Sequence, residues 1–127
     1  MSTRAVITFK DTFTQERHSV YQHCGGYPSG VLVGLQQAET LAWPLPRFEA
    51  NDFAAAYVAA NKTGGGGIRL CKSPASVGDA AFRYSVTFRA GSLQIIIYTA
   101  TTTGQWVACW KGDLSALAHD VDAGVLA

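Results

Sequence analysis

The sequence predicts an α+β domain: an antiparallel sheet of about five or six strands with two main helices packed on one face, in the order β-β-α-α-β-β-β-β-α. Strict alternation of apolar and polar residues from Phe82 to Arg89 marks a half-exposed strand. Two stretches between residues 30 and 60 carry apolar residues at helical spacing. Short links join successive strand candidates, and hairpins make antiparallel pairs.

Each element has its own signal. Ala5, Ile7 and Phe9 alternate with Val6, Thr8 and Lys10, so residues 4–10 predict a strand. Asp11 to Gln15 is polar and turn-like, and Glu16 to Cys24 follows as a second strand of unusually polar character. Gly25 and Gly26 break it. Ser29 then offers a side-chain oxygen as helix N-cap, and a helix is expected from about Gly30 to Leu41. Trp43-Pro44-Leu45-Pro46 ends that helix, because proline lacks the donor and clashes with the preceding turn. Asn51 is expected to cap a second helix in which Phe53, Tyr57 and Ala60 form one row.

The glycine run Gly64–Gly67 is expected to be a mobile connector. A phosphate-cradling loop would continue into Lys-Ser/Thr or a helix, whereas Ile68-Arg69-Leu70-Cys71 reads as a short strand. After Phe82–Arg89, strands are expected over Leu93–Ala100 and Gln105–Lys111. Simple alternation in the last puts Trp106, Ala108 and Trp110 on one face. Asp113 can cap a closing helix that carries Leu114, Leu117 and Val121.

The chain of 127 residues has the size of one domain, 1–127, and needs no staple for its core. Hydrophobic residues make up 48% and charged residues 15%, so the surface is charge-poor and favours a covering partner. A homodimer or a complex with another protein is the expected form. Net charge is +1, and the ten basic residues are scattered along the chain. No basic stripe is legible, so the sequence gives no strong nucleic-acid signal. The three cysteines lack paired spacing, and the first residues lack a secretory pattern, which favours reduced thiols in the cytoplasm. No stretch approaches the ~20 apolar residues of a membrane span.

The segment Tyr21–Gly30 gathers most of the chemistry. His23 and Cys24 are the candidate catalytic pair, an imidazole beside a thiol, although neighbouring residues of a strand point to opposite faces. Tyr21, His23, Tyr27, Ser29 and Gly30 are candidate ligand-binding residues, because a helix start offers unpaired amide donors to an anion. His18, His23 and Cys24 lie close in sequence, and His119, Asp120 and Asp122 lie far along the chain. They form no ligand pattern, so neither a metal nor a cofactor is expected. Trp106, Trp110 and Tyr84 serve as an aromatic platform or as packing, with packing the simpler account. Arg83, Thr87 and Arg89 share a polar strand face that either meets an acidic partner or is merely solvated.

Tyr21-x-His23-x-x-Gly26-Tyr27-Pro28 resembles a Tyr-x-His-x-Asp-Gly-Tyr-Pro segment of small uncharacterised bacterial and phage proteins, where it also joins a strand to a helix. The resemblance takes in Ser29–Leu35 and departs at Gly25, which stands in place of the aspartate. It implies a phage or prophage accessory protein and brings no activity with it. The expected function is therefore non-enzymatic partner binding. The alternatives are small-molecule or anion binding, or Cys/His catalysis, at the corner 21–30.

Overall fold

The computed structural model describes residues 2–127. Its elements are β1 (Ala5–Lys10), β2 (Arg17–Gln22), α1 (Pro28–Glu39), α2 (Ala50–Asn61), β3 (Ile68–Cys71), β4 (Phe82–Arg89), β5 (Ser92–Ala100), β6 (Trp106–Asp113) and α3 (Leu114–Asp122), with a 3-10 turn at Pro74–Ser76. The α+β class and the element order agree with the sequence prediction.

The six strands form one sheet in the order β3-β2-β1-β4-β5-β6. All neighbours are antiparallel except β1 and β4, which run parallel with Ile7 level with Tyr84. The sheet is therefore mixed and mostly antiparallel rather than wholly antiparallel. Hairpin logic sees only sequential neighbours, and it misses a strand that docks on β1 after the chain has left β3 at the far edge. Residues 72–81 make this crossover as a strap without a full helix.

One face of the sheet is apolar. Ile7, Phe9, Val20, Tyr84, Val86, Leu93, Ile95 and Ile97 are buried against the helices. α2 lies on β1 and β2, where Phe9 packs against Phe53 and Tyr57 with ring centroids 5.6 Å apart in each pair. α1 packs beside α2, and Gly34 allows a close approach: a Cβ there would fall 2.6 Å from the Tyr57 hydroxyl. α3 covers β5 and β6 with the fully buried Leu117.

Three local expectations are corrected. α1 begins at Pro28 with Tyr27 as N-cap, so Ser29 lies in the first turn and caps nothing. Proline at the first helical position already has helical φ and lacks only an amide that would be unpaired anyway. α2 is capped at Glu49, without a side-chain bond, and Asn51 falls inside the helix. Asp52 instead accepts from the Trp43 amide at 2.8 Å and holds the inter-helix loop. Asp113 does cap α3, accepting from the Ala116 amide at 2.8 Å.

The third correction concerns β6. Its register against β5 jumps between Ile97↔Trp110 and Tyr98↔Ala108, so Cys109 is an extra, bulged residue. The bulge inverts the alternation. Trp106 and Ala108 face away from the helices, while Trp110 turns to the core side. There Trp110 Nε1 donates to Asp120 Oδ2 at 2.8 Å. Tyr84 is buried, with its hydroxyl donating to the Gly26 carbonyl at 2.6 Å. The three aromatics therefore form no common platform.

The Trp110 bond, followed by His119, holds the Asp120 carboxyl below the usual carboxylate range. A depressed folded-state pKa stabilises above the unfolded value, and that contribution is lost as pH falls through the folded one. Asp120→Asn should accordingly remove part of the acid-limb fall in Tm, followed by calorimetry from neutral pH to about pH 3. Identical acid limbs for the two proteins would show that the contact contributes nothing.

Hydrogen bonds tie the glycine run to its surroundings. Lys62 Nζ donates to the carbonyls of Gly65 and Ile68 at 2.7 and 2.8 Å, and the Gly67 carbonyl accepts from the His23 amide at 2.9 Å.

Candidate functional site

The corner 21–30 is stitched to the body of the protein. Gln22 is buried, accepts from the Tyr57 hydroxyl at 2.6 Å, and donates to the carbonyls of Cys24 and Gly25 at 3.0 Å each. Gly26 donates to the Thr3 carbonyl at 2.9 Å. The start of α1 is packed on the chain itself, since a Cβ on Gly30 would lie 2.1 Å from the Gly25 carbonyl oxygen. Buried hydroxyls at Tyr57 and Tyr84 have their pKa pushed far up by desolvation, which suits them as permanent hydrogen-bond donors.

Within this corner the structure joins Tyr21 and His23: the phenol oxygen and Nδ1 are 2.7 Å apart. Cys24 is exposed, and its Sγ lies 3.4 Å from the Ser2 hydroxyl. The imidazole and the thiol thus have separate partners. Tyr27 is exposed, and Ser29 and Gly30 are half-buried in the first turn of α1. Of the two surface hollows described below, neither is lined by His23, Cys24, Tyr27, Ser29 or Gly30; Tyr21 alone reaches one of them. Among the described residues no three His, Cys, Asp or Glu side chains come together.

The face of the sheet opposite the helices has a different character. Strand pairing sets its rows. Cys71, Ser19, Thr8, Ser85, Ile96 and Lys111 lie level across all six strands, and Arg69, Tyr21, Val6, Arg83, Tyr98 and Ala108 form the next row. One step beyond the Phe9↔Val86 pair, Lys10 stands level with Thr87 and directly opposite Arg17. The strap shields part of this face, and a hollow of about 610 Å³ opens beside it. Lys10, Arg17, Lys72, Arg83, Arg89 and Lys111 line that hollow, and no aspartate or glutamate does. A second hollow of about 540 Å³, at the β3 edge, shares Lys72 and contains Tyr21 and Arg69, whose guanidinium carbon is 4.8 Å from the Tyr21 ring.

Six of the ten basic residues thus converge on one hollow, although the sequence scatters them. None of the six takes part in an ion pair among the described residues; the pairs that form use Arg4, His18, Arg47 and His119. Lys10 opposite Arg17 is a like-charge cross-strand pair, which destabilises a sheet. Arg83 is the most constrained member. Its Nε is buried without a hydrogen-bond partner, and its guanidinium carbon sits 4.1 Å over the Trp106 ring. Burial lowers its pKa, because desolvation disfavours the cation. Arginine nevertheless stays charged at neutral pH.

No protein-family model matches the chain, and comparison with curated proteins and with solved structures gives no match.

Proposed function

We propose that this protein is a binding protein whose ligand is an anion held on the open face of the sheet. The observation that carries the reading is the set of six unpaired cations around one hollow with no carboxylate among them. Unrelieved like charge raises the free energy of the empty fold, and a bound anion would relieve it. Sites that break local rules without internal compensation are where function is expected. Thr8, Ser85, Thr87 and Gln94 add neutral hydrogen-bonding groups between the cations.

Scanning fluorimetry with inorganic polyphosphate tests the reading. Binding to the folded state should raise Tm at low salt. The rise should vanish near 1 M salt, where the Debye length shrinks to about 3 Å. A Tm indifferent to polyphosphate at low salt would overturn the reading.

Self-association is a second reading, favoured by a separate observation. Val33, Leu41 and Trp43 are 49%, 58% and 50% exposed on α1 and the turn that follows it. A second copy seated on this helix layer would leave the open sheet face free. Light scattering showing only monomer at high concentration would remove this reading and leave the anion site untouched.

A further inference from the structure

We infer that the anion is the backbone of a single-stranded nucleic acid, with bases stacked at the Trp106 end of the hollow. The inference rests on the anion-binding reading and adds the ligand class.

Length is the first argument. Along the strand direction the cations occupy successive rows: Arg83, then Lys111, then Lys10 with Arg17, then Arg89. Rows on one face are two residues apart, roughly 6.6 Å, so the series spans about 20 Å. A single phosphate or a mononucleotide engages one or two of these rows. The same cations spread sideways from Arg17 on β2 to Lys111 on β6, four strand spacings or about 19 Å, so only an extended polyanion reaches most of them.

The second argument is the aromatic end. Trp106 is half-exposed on the open face, with the Arg83 guanidinium lying over its ring at 4.1 Å. Tyr98 stands directly across from Arg83. Ring faces and guanidinium planes are the surfaces on which unpaired bases stack, and such stacking tolerates any base. The bases of a duplex are already stacked on one another and present only their edges. Arg83 Nε is buried beneath this stack, so the terminal nitrogens of the guanidinium are the donors a phosphate or base oxygen would meet. A site for an acidic peptide or a plain polyanion would use Trp106 only as a support for the Arg83 guanidinium.

The third argument is charge segregation. Net charge is only +1, and the nine acidic residues all lie outside the hollow. The cations form a local patch rather than part of a generally basic surface, so a polyanion gains by lying across it.

Fluorescence anisotropy with the full chain tests this. The probes are labelled oligothymidylate and oligouridylate of about twelve nucleotides, a duplex of equal length, and unlabelled inorganic polyphosphate as competitor. Single strands should bind at least about tenfold tighter than the duplex, with a log–log salt slope no steeper than about −4, at −0.7 per phosphate contacted. Trp106→Leu keeps an apolar side chain on the edge strand, and Trp106→Phe keeps a ring. The first should lose about tenfold on single strands, the second much less, and neither should alter competition by polyphosphate. Arg47→Gln removes a cation that stacks on Trp43, outside the hollow, and should change nothing. If polyphosphate binds but single strands gain nothing over the duplex, or if Trp106→Leu binds them unchanged, the nucleic-acid inference fails and the anion reading stands. If no probe binds, the anion reading itself fails.

Discussion

Gly30→Ala should destabilise the fold by about 3 kcal/mol or more, read as a fall in the urea midpoint. Helix propensity alone points the other way, since alanine in place of a helical glycine gains up to about 1 kcal/mol. The sign is decided by packing. The new Cβ would lie 2.1 Å from the Gly25 carbonyl oxygen, and the obstacle is backbone rather than a side chain that can swing aside. To admit it, the 22–26 segment must shift, and the Gln22 bonds to Cys24 and Gly25 go with it. Gln22 also accepts from Tyr57, so the disturbance reaches the core. A midpoint that rises in the alanine variant would refute the close approach, and with it the account of this corner as a structural joint.

Arg17→Glu combined with Arg89→Glu should abolish most polyanion binding while leaving the empty protein at least as stable. At position 17 the exchange turns a like-charge pair with Lys10 into an attractive one, a gain of about 0.2–1 kcal/mol. Two lost phosphate contacts should flatten the salt slope by about 1.4, at 0.7 each on a single strand. Affinity should fall at least tenfold at low salt, since each exchange adds repulsion besides removing attraction. Opposite movement of stability and affinity is the diagnostic outcome, as expected where a site is held in conflict with the fold. A variant both less stable and equally tight in binding would show that these cations serve the fold and not a ligand.

Much of the architecture could be read from the sequence because short-range physics determines it. The alternation in Phe82–Arg89 and the row Phe53–Tyr57 each state which side is buried: Tyr84, Val86, Phe53 and Tyr57 are buried, and Phe82 and Phe88 half-buried. What the local pattern does not contain depends on long-range pairing. Nothing local tells Phe9 that Val86 will lie beside it, so the parallel pair was invisible. The bulge at Cys109 inverted the reading of Trp110, because one extra residue reverses alternation from that point on.

The candidate site divides in the same way. The segment 21–30 is conspicuous in the sequence because its unusual residues are adjacent, and most of them are engaged in holding the corner together. The cationic hollow is not legible as a unit, because its members come from β1, β2, β4, β6 and the strap. A partial signal was present: Lys10 with Thr8, Arg17 with Ser19, and Arg83 with Arg89 each share the polar parity of their strands. Superposing those parities requires the strand order, which only the tertiary structure supplies.

The lone parallel seam between β1 and β4 has a consequence for how the molecule assembles. It divides the sheet into an amino-terminal half, β3-β2-β1, and a carboxy-terminal meander, β4-β5-β6, joined covalently only by residues 72–81. Until β4 pairs with it, this edge of β1 lacks its backbone partners and is an open strand edge. The groove straddles that edge, with Lys10 and Arg17 on one side and Arg83, Arg89 and Lys111 on the other. On the proposed function, the cations of the two halves would meet only once the halves have paired along β1 and β4.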